Sequence, residues 1–133
     1  MGKIEGSRER SWITDVTFVI GAEAADVINV ALQLKGENAG QQNVNIAERV
    51  SLVAYWSDDI NGDSLAAAHS GGTAIGTAGT LIEQIVDRNF LLTTNATGAI
   101  NINATHVGAK TAYLLVILPS GQRKVSGAVT HAA

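Results

Sequence analysis

The sequence predicts an all-β protein, an antiparallel β-sandwich of about eight strands with an extended N-terminal arm. Short runs rich in Val, Ile, Leu and Thr recur along the 133 residues, and several of them alternate apolar with polar side chains. Segments rich in Gly, Asn, Asp and Ser separate these runs, as turns and loops separate strands. The clearest unit is 111–130, where two strand-like runs flank the turn Pro119-Ser-Gly121.

The chain is predicted to form one sandwich domain over residues 15–133, preceded by an arm over residues 1–14. The arm is polar, carries charges of both signs and lacks the apolar stretch of a secretory signal. Trp12 and Ile13 at its end need a surface to cover them. Two interpretations stay open: a frayed terminus, which is the commoner state of chain ends, or an arm that orders on a neighbouring subunit.

Three strands are predicted in the first half of the chain. Residues 16–20 are β-branched or aromatic, and in residues 27–35 side chains such as Ile28 and Val30 alternate with polar or small ones. A helix over 22–34 is the weaker alternative, because β-branched side chains are stiff in helices. Residues 36–45 are predicted to be a loop. The predicted strands of this half are 16–20, 27–35 and 46–56, the last best defined from Arg49.

The second half is predicted to contain five strands and one long loop. The loop, 57–79, holds at most a short strand at Thr73–Ile75, and loops of that length usually make contacts or carry function. Asp87-Arg88 is a candidate tight hairpin turn. The run 113–118 is apolar on both faces, so it lies mid-sheet or has one face covered by a partner. The predicted strands are 80–86, 89–94, 99–105, 111–118 and 124–130.

Composition excludes several classes of function. The net charge is −3 and only 16% of residues are charged, which gives no basic footprint for nucleic acid. A weakly charged surface instead favours packing against other proteins. No run reaches the roughly 18 apolar residues of a membrane helix. Cysteine is absent, so there is no thiolate metal site and no disulfide.

No metal site is predicted. Asp59-Ile-Asn-Gly-Asp63 spaces oxygen side chains at alternate positions, as a calcium loop does. Ser64 and Ser70 then stand where that loop needs Gly and Glu, so the segment is predicted to be an ordinary turn stabilised by Asp and Asn. The three histidines (His69, His106 and His131) lie far apart in the sequence, without the paired spacing of zinc ligands.

No catalytic or cofactor-binding residue is predicted, and the protein is expected not to be an enzyme. Ser64, His69 and Asp63 supply the residue types of a hydrolase triad, but no nucleophile elbow surrounds the serine. The glycines between 71 and 79 lack the Gly-Lys-Ser/Thr ending of a phosphate loop. A polar pocket containing Asp58, Asp63 and His69 around a metal would reverse this expectation.

Two further patterns have ordinary structural interpretations. Asn95 and Asn103 stand in glycosylation sequons, but without a secretory signal they are predicted to be turn and strand-face asparagines. Trp56 shares its face with apolar neighbours and is predicted to be in the core. Tyr55 points to the opposite face, where it could stack on a partner or a sugar.

Four segments have a distinctive series of turn and strand residues: 21–30, 57–63, 108–116 and 118–121. In these segments the chain resembles small β-sandwich accessory virion proteins of tailed bacteriophages, of the head-decoration or head-fibre type. The resemblance runs over most of residues 16–132. It rests on turn and strand residues and names no functional residues.

The resemblance implies a structural virion protein that decorates or stabilises a capsid through protein–protein contacts. Its expected partners are the major capsid protein or other virion subunits. A homo-oligomer is expected, with a trimer favoured, and the protein is expected in the virion after synthesis in the host cytoplasm. The arm 1–14 and the loop 57–79 are the expected contact elements. The alternative is a tail- or fibre-associated module that binds a receptor or a carbohydrate.

Overall fold

The computed structural model describes residues 12–132, which form ten β-strands and no helix. The predicted all-β class is therefore confirmed. The strands are β1 (Trp12–Ile20), β2 (Val27–Asn38), β3 (Gln41–Asn45), β4 (Ser51–Ser57), β5 (Thr73–Ile75), β6 (Thr80–Ile85), β7 (Asn89–Thr93), β8 (Ala99–Thr105), β9 (Lys110–Ile117) and β10 (Arg123–His131).

The strands form two five-stranded antiparallel sheets. One sheet has the order β1-β2-β8-β5, with β3 also paired to β2, and the other has the order β10-β9-β4-β7-β6. The sheets pack face to face as a sandwich. Contacts between β1 and β10 and between β5 and β6 bring the two layers together along both sides.

The core lies between the sheets and follows the predicted alternation. Ile28 and Val30 of β2 and Ile100 and Ile102 of β8 point inward, while Asn29, which lies between the first two, pairs with Asn103 on the outer face. Trp56 is fully buried, as predicted. The largest wholly buried side chains are Trp56, Phe90, Ile28, Leu34, Ile46, Leu52, Leu92, Ile100, Ile102, Leu114, Leu115 and Leu118.

The prediction of a loop over residues 36–45 was wrong in part, because this segment contains β3. Strand β2 continues to Asn38 and reverses through Ala39 and Gly40, whose φ angles are 53° and 86°. Two consecutive left-handed residues make a hairpin turn that matches the twist of paired strands. The usual sequence for that turn is Asn-Gly. Ala39 occupies the first position here, so the turn could not be recognised from sequence.

The boundary of the predicted arm also differs, because β1 begins at Trp12. Trp12 and Ile13 pair with Glu37 and Gly36 of β2, so the last residues of the predicted arm belong to the sheet. This pairing requires Gly36 and Glu37, which lie beyond the predicted end of β2 at Lys35. Residues 1–11 of the arm lie outside the described residues.

The strand that is apolar on both faces, β9, is an interior strand, and its outer face is covered. It lies between β10 and β4. Leu115 points outward yet is only 2% exposed. A Cβ on Gly62 would approach the Leu115 side chain to 2.3 Å, so the loop after β4 passes directly over this face. The mid-sheet position predicted for 113–118 is therefore confirmed, and the cover over Leu115 comes from the protein's own loop.

Candidate functional site

The start of the long loop between β4 and β5 is a tight turn held by its own carboxylate. Asp59 Oδ1 accepts a hydrogen bond of 2.9 Å from the Asp63 N–H. That bond is the main reason why the pKa of Asp59 is lowered from its ordinary value. Gly62 has φ +78°, a conformation that favours glycine. The predicted turn at 59–63 is therefore present.

Tyr55 anchors this turn to the outer face of its sheet. Its hydroxyl donates a hydrogen bond of 2.8 Å to the Gly62 carbonyl oxygen, and Arg123 Nη1 lies 3.5 Å from the same hydroxyl. The ring is half-buried, and it faces the covered Leu115 across the β4–β9 pair. The tyrosine thus points outward, as expected, but it is engaged by the protein's own loop.

The residue types of the hydrolase triad do not assemble. Asp63 and Ser64 are exposed on the turn, and the Ser64 hydroxyl lies 3.5 Å from Asp58 Oδ2. His69 is 2% exposed, and neither of its ring nitrogens has a hydrogen-bond partner among residues 12–132. The serine and the imidazole therefore make no hydrogen bond that would activate a nucleophile.

The fold brings the three histidines together at one end of the sandwich. His69 lies in the loop before β5, His106 directly follows β8, and His131 ends β10. Their ring centroids are 5.8 Å apart for His69–His106, 5.5 Å for His69–His131 and 5.8 Å for His106–His131. Trp56 packs against His69 with centroids 4.6 Å apart. We call these three residues the histidine cluster.

Two members of the histidine cluster are buried with unsatisfied nitrogens. Both nitrogens of His69 and Nδ1 of His131 lack a partner within the described part of the chain. His131 Nε2 lies 3.1 Å from the Ala104 carbonyl oxygen; a carbonyl can only accept, so Nε2 carries the hydrogen. Burial, followed by the nearby positive charge of Lys110, lowers the pKa of His69 from 6.5 to about 3.

His106 connects the cluster to the loop. Its Nδ1 accepts a hydrogen bond of 2.9 Å from the Ser70 N–H, so this nitrogen is unprotonated. Partial burial, followed by Lys110, lowers the pKa of His106 as well. Three more bonds join residues 70–72 to the end of β8: Gly71 N–H to Thr105 O at 2.8 Å, Thr105 N–H to Gly72 O at 3.0 Å, and Val107 N–H to Ser70 Oγ at 2.9 Å.

A second feature, on the edge of the other sheet, is an exposed apolar segment. Ile82 is 62% exposed, Ile85 49% and Val86 70%. All three lie on β6 or on the turn that follows it, and we call them the apolar edge. Among the described strands, β6 is the last of its sheet and pairs with β7 alone. Glu83 is the one charged residue between 80 and 86.

The sequence did not predict the histidine cluster. For the apolar edge it predicted a strand over 80–86 but not the exposure of that strand. The histidines share no spacing, because they come from three separate elements that meet through the strand order. The histidines are far apart along the chain and lie close together in the fold. The two sequon asparagines behave as predicted: Asn95 Oδ1 accepts from the Thr97 and Ala99 N–H groups in a turn, and Asn103 bonds Asn29 across strands.

Within residues 12–132, no group of three or more His, Cys, Asp or Glu side chains is placed to hold a metal ion. The same stretch contains no helix with the length and apolar character needed to cross a bilayer. No protein-family model, curated protein or solved structure matches the chain.

Proposed function

We propose that this chain is a structural virion protein of a tailed bacteriophage that decorates or stabilises the capsid through protein–protein contacts. The family resemblance of the sequence suggests the setting. The apolar edge is the observation that carries the proposal, because it is a surface suited to burial against another subunit.

The apolar edge combines two properties that favour association. The outer backbone of an edge strand offers unpaired N–H and C=O groups to another chain. Natural proteins usually protect such edges with charged side chains. Here Glu83 is the one charged residue between 80 and 86, beside three apolar side chains that are each about half exposed or more: Ile82, Ile85 and Val86. A partner strand or surface that covers the edge gains main-chain hydrogen bonds and apolar burial together.

The proposed partners are the major capsid protein or other virion subunits, with further copies of this chain in a trimer. Binding only to the assembled shell stabilises the shell by mass action. A closed trimer suits a three-fold position and repeats each modest contact by symmetry. Light scattering on the purified chain should then give a mass of about 41 kDa, three times the 13.8 kDa of one chain. A monomer mass at all concentrations would argue against the trimer.

The direct test is the composition of virus particles. Particles are induced from the bacterium that encodes the chain, purified on a density gradient and analysed by mass spectrometry and cryo-electron microscopy. We expect the chain in the purified particles at many copies, with sandwich-shaped density on the capsid surface. Detection of the chain in the cell lysate but not in the particles would overturn the proposal.

A matched pair of variants tests the role of the apolar edge. Val86→Lys places a charge at the edge, and Val107→Lys places the same charge at an equally exposed valine near the histidine cluster; both valines are 70% exposed. Neither side chain belongs to the core, so both variants should fold. We expect Val86→Lys to lower the number of copies per particle at least tenfold, and Val107→Lys to leave it unchanged. Equal occupancy for both variants would exclude the edge as the contact surface.

A further inference from the structure

The histidine cluster has no role in the proposed capsid contact, yet it is unusual for a protein interior. A buried polar atom without a partner costs free energy, so native cores contain few of them. Among residues 12–132, His69 and His131 together leave three such nitrogens without a partner. An apolar side chain in place of His69 would remove that cost, which raises the question of what the imidazoles provide.

The cluster joins three parts of the fold. His131 brings the end of β10, from one sheet, onto Ala104 of β8, from the other sheet. His106 holds Ser70 of the long loop through a nitrogen that must be unprotonated. His69 fills the space between these two rings and Trp56. The position of the segment 69–72 therefore depends on a neutral His106 and on the buried ring of His69.

We propose that the histidine cluster is an acid-sensitive latch, which holds segment 69–72 against the end of β8 while His69 and His106 are neutral and releases the segment when these two rings take up protons. A proton on His106 Nδ1 turns the acceptor of the Ser70 N–H into a donor, and the bond is lost. A proton on His69 places a charge in a buried site beside two other imidazoles.

The charged groups that face the cluster favour release in acid. Lys110 at the start of β9 repels a proton on His69 and on His106. Asp87 in the β6–β7 turn attracts a proton on His69, and Asp26 before β2 attracts one on His106. Burial and Lys110 outweigh these carboxylates, since the pKa of both histidines is lowered. Opening exposes the rings to water, where a histidine has a pKa of about 6.5.

The direction of the pH effect follows from proton counting. Between pH 6.5 and 3, the open segment binds a proton at His69 that the closed segment does not, so opening becomes more favourable as pH falls. One linked proton makes opening about 25-fold more favourable at pH 5 than at pH 7. A second proton on His106 increases this factor.

Native-state hydrogen exchange of the full chain tests the latch. The readout is the protection factor of the Gly71 and Thr105 amides, whose hydrogen bonds join the segment to β8; protection factors already correct for the pH dependence of intrinsic exchange. We expect a fall of at least 25-fold between pH 7 and pH 5. Equal protection at the two pH values would overturn the proposal.

Two variants separate the latch from general acid effects. His69→Leu removes the buried base, and His106→Gln keeps an acceptor for the Ser70 N–H that does not titrate in this range. His106 is only half-buried, so its variant should fold even if His69→Leu does not. We expect His106→Gln to reduce the fall in protection and the double variant to abolish it.

Two outcomes of the variant experiment contradict the latch. An unchanged fall in the double variant would assign the acid effect to carboxylates elsewhere. Increased protection of the wild-type amides on addition of Zn²⁺ at pH 7, absent in His106→Gln, would make the cluster a metal site.

Discussion

The hydrogen bond between Trp56 and Thr73 should couple the two sheets measurably. Trp56 lies on β4 of one sheet and Thr73 on β5 of the other, and Trp56 Nε1 donates to Thr73 Oγ1 at 2.9 Å. The indole is fully buried and the threonine is 7% exposed. Thr73→Val keeps the shape of the side chain but leaves the indole N–H without its acceptor.

The expected cost follows from the burial of that donor. An unpaired buried N–H costs about 1–3 kcal/mol, and the added methyl group of valine returns at most about 0.8 kcal/mol. Thr73→Val should therefore lower the free energy of unfolding by about 1–2 kcal/mol. In a Trp56→Phe background the donor is absent, so the same change should cost nothing or stabilise the protein. The methyl gain is the same in both backgrounds, so the coupling energy of the double-mutant cycle should be about 1–3 kcal/mol, the cost of the unpaired N–H.

Urea unfolding followed by far-ultraviolet circular dichroism measures all four corners of this cycle. Tryptophan fluorescence is unsuitable, because one of the substitutions removes the buried indole. The control is Thr73→Ser, which keeps the hydroxyl and should retain the coupling to Trp56. A coupling energy below about 0.3 kcal/mol, the usual limit of additivity, would refute the bond as a link between the layers.

Three other predictions concern the turns, the core and the histidine cluster. Gly98→Ala should lower the free energy of unfolding by more than about 3 kcal/mol, because φ is +76° and the new Cβ would clash with the Ile46 carbonyl oxygen. Gly121 has φ +92° with open space around it, so Gly121→Ala should lower the free energy of unfolding by only about 1 kcal/mol in the same urea assay. Phe90→Ala should lower the free energy of unfolding by about 3–5 kcal/mol, since the ring is wholly buried. A loss of less than about 1 kcal/mol would contradict the described core. The lowered pKa of His69 means that the unfolded chain binds the extra proton, so stability should fall by about 2 kcal/mol between pH 7 and pH 5. His69→Leu should remove that part of the pH dependence, and an unchanged slope of stability against pH would contradict it.

The sandwich was predictable because its signals are local. Alternation such as Ile28 and Val30 against Asn29 places one face of a strand in the core whatever the strand pairs with. Turn chemistry gave most of the boundaries, including Asp87, which adopts φ +59° at the predicted β6–β7 hairpin. β3 was lost because its turn carries Ala39 at a left-handed position, where local preference points elsewhere.

The all-β class, most of the strands and the inward face of each strand can be predicted from sequence, since they follow from the side chains of near neighbours. Which distant residues come into contact depends on the tertiary structure. The order of strands in each sheet brings together three histidines that are 37 and 25 residues apart, and it leaves β6 at an edge. No local pattern records either result, because strand order arises from contacts between residues distant along the chain.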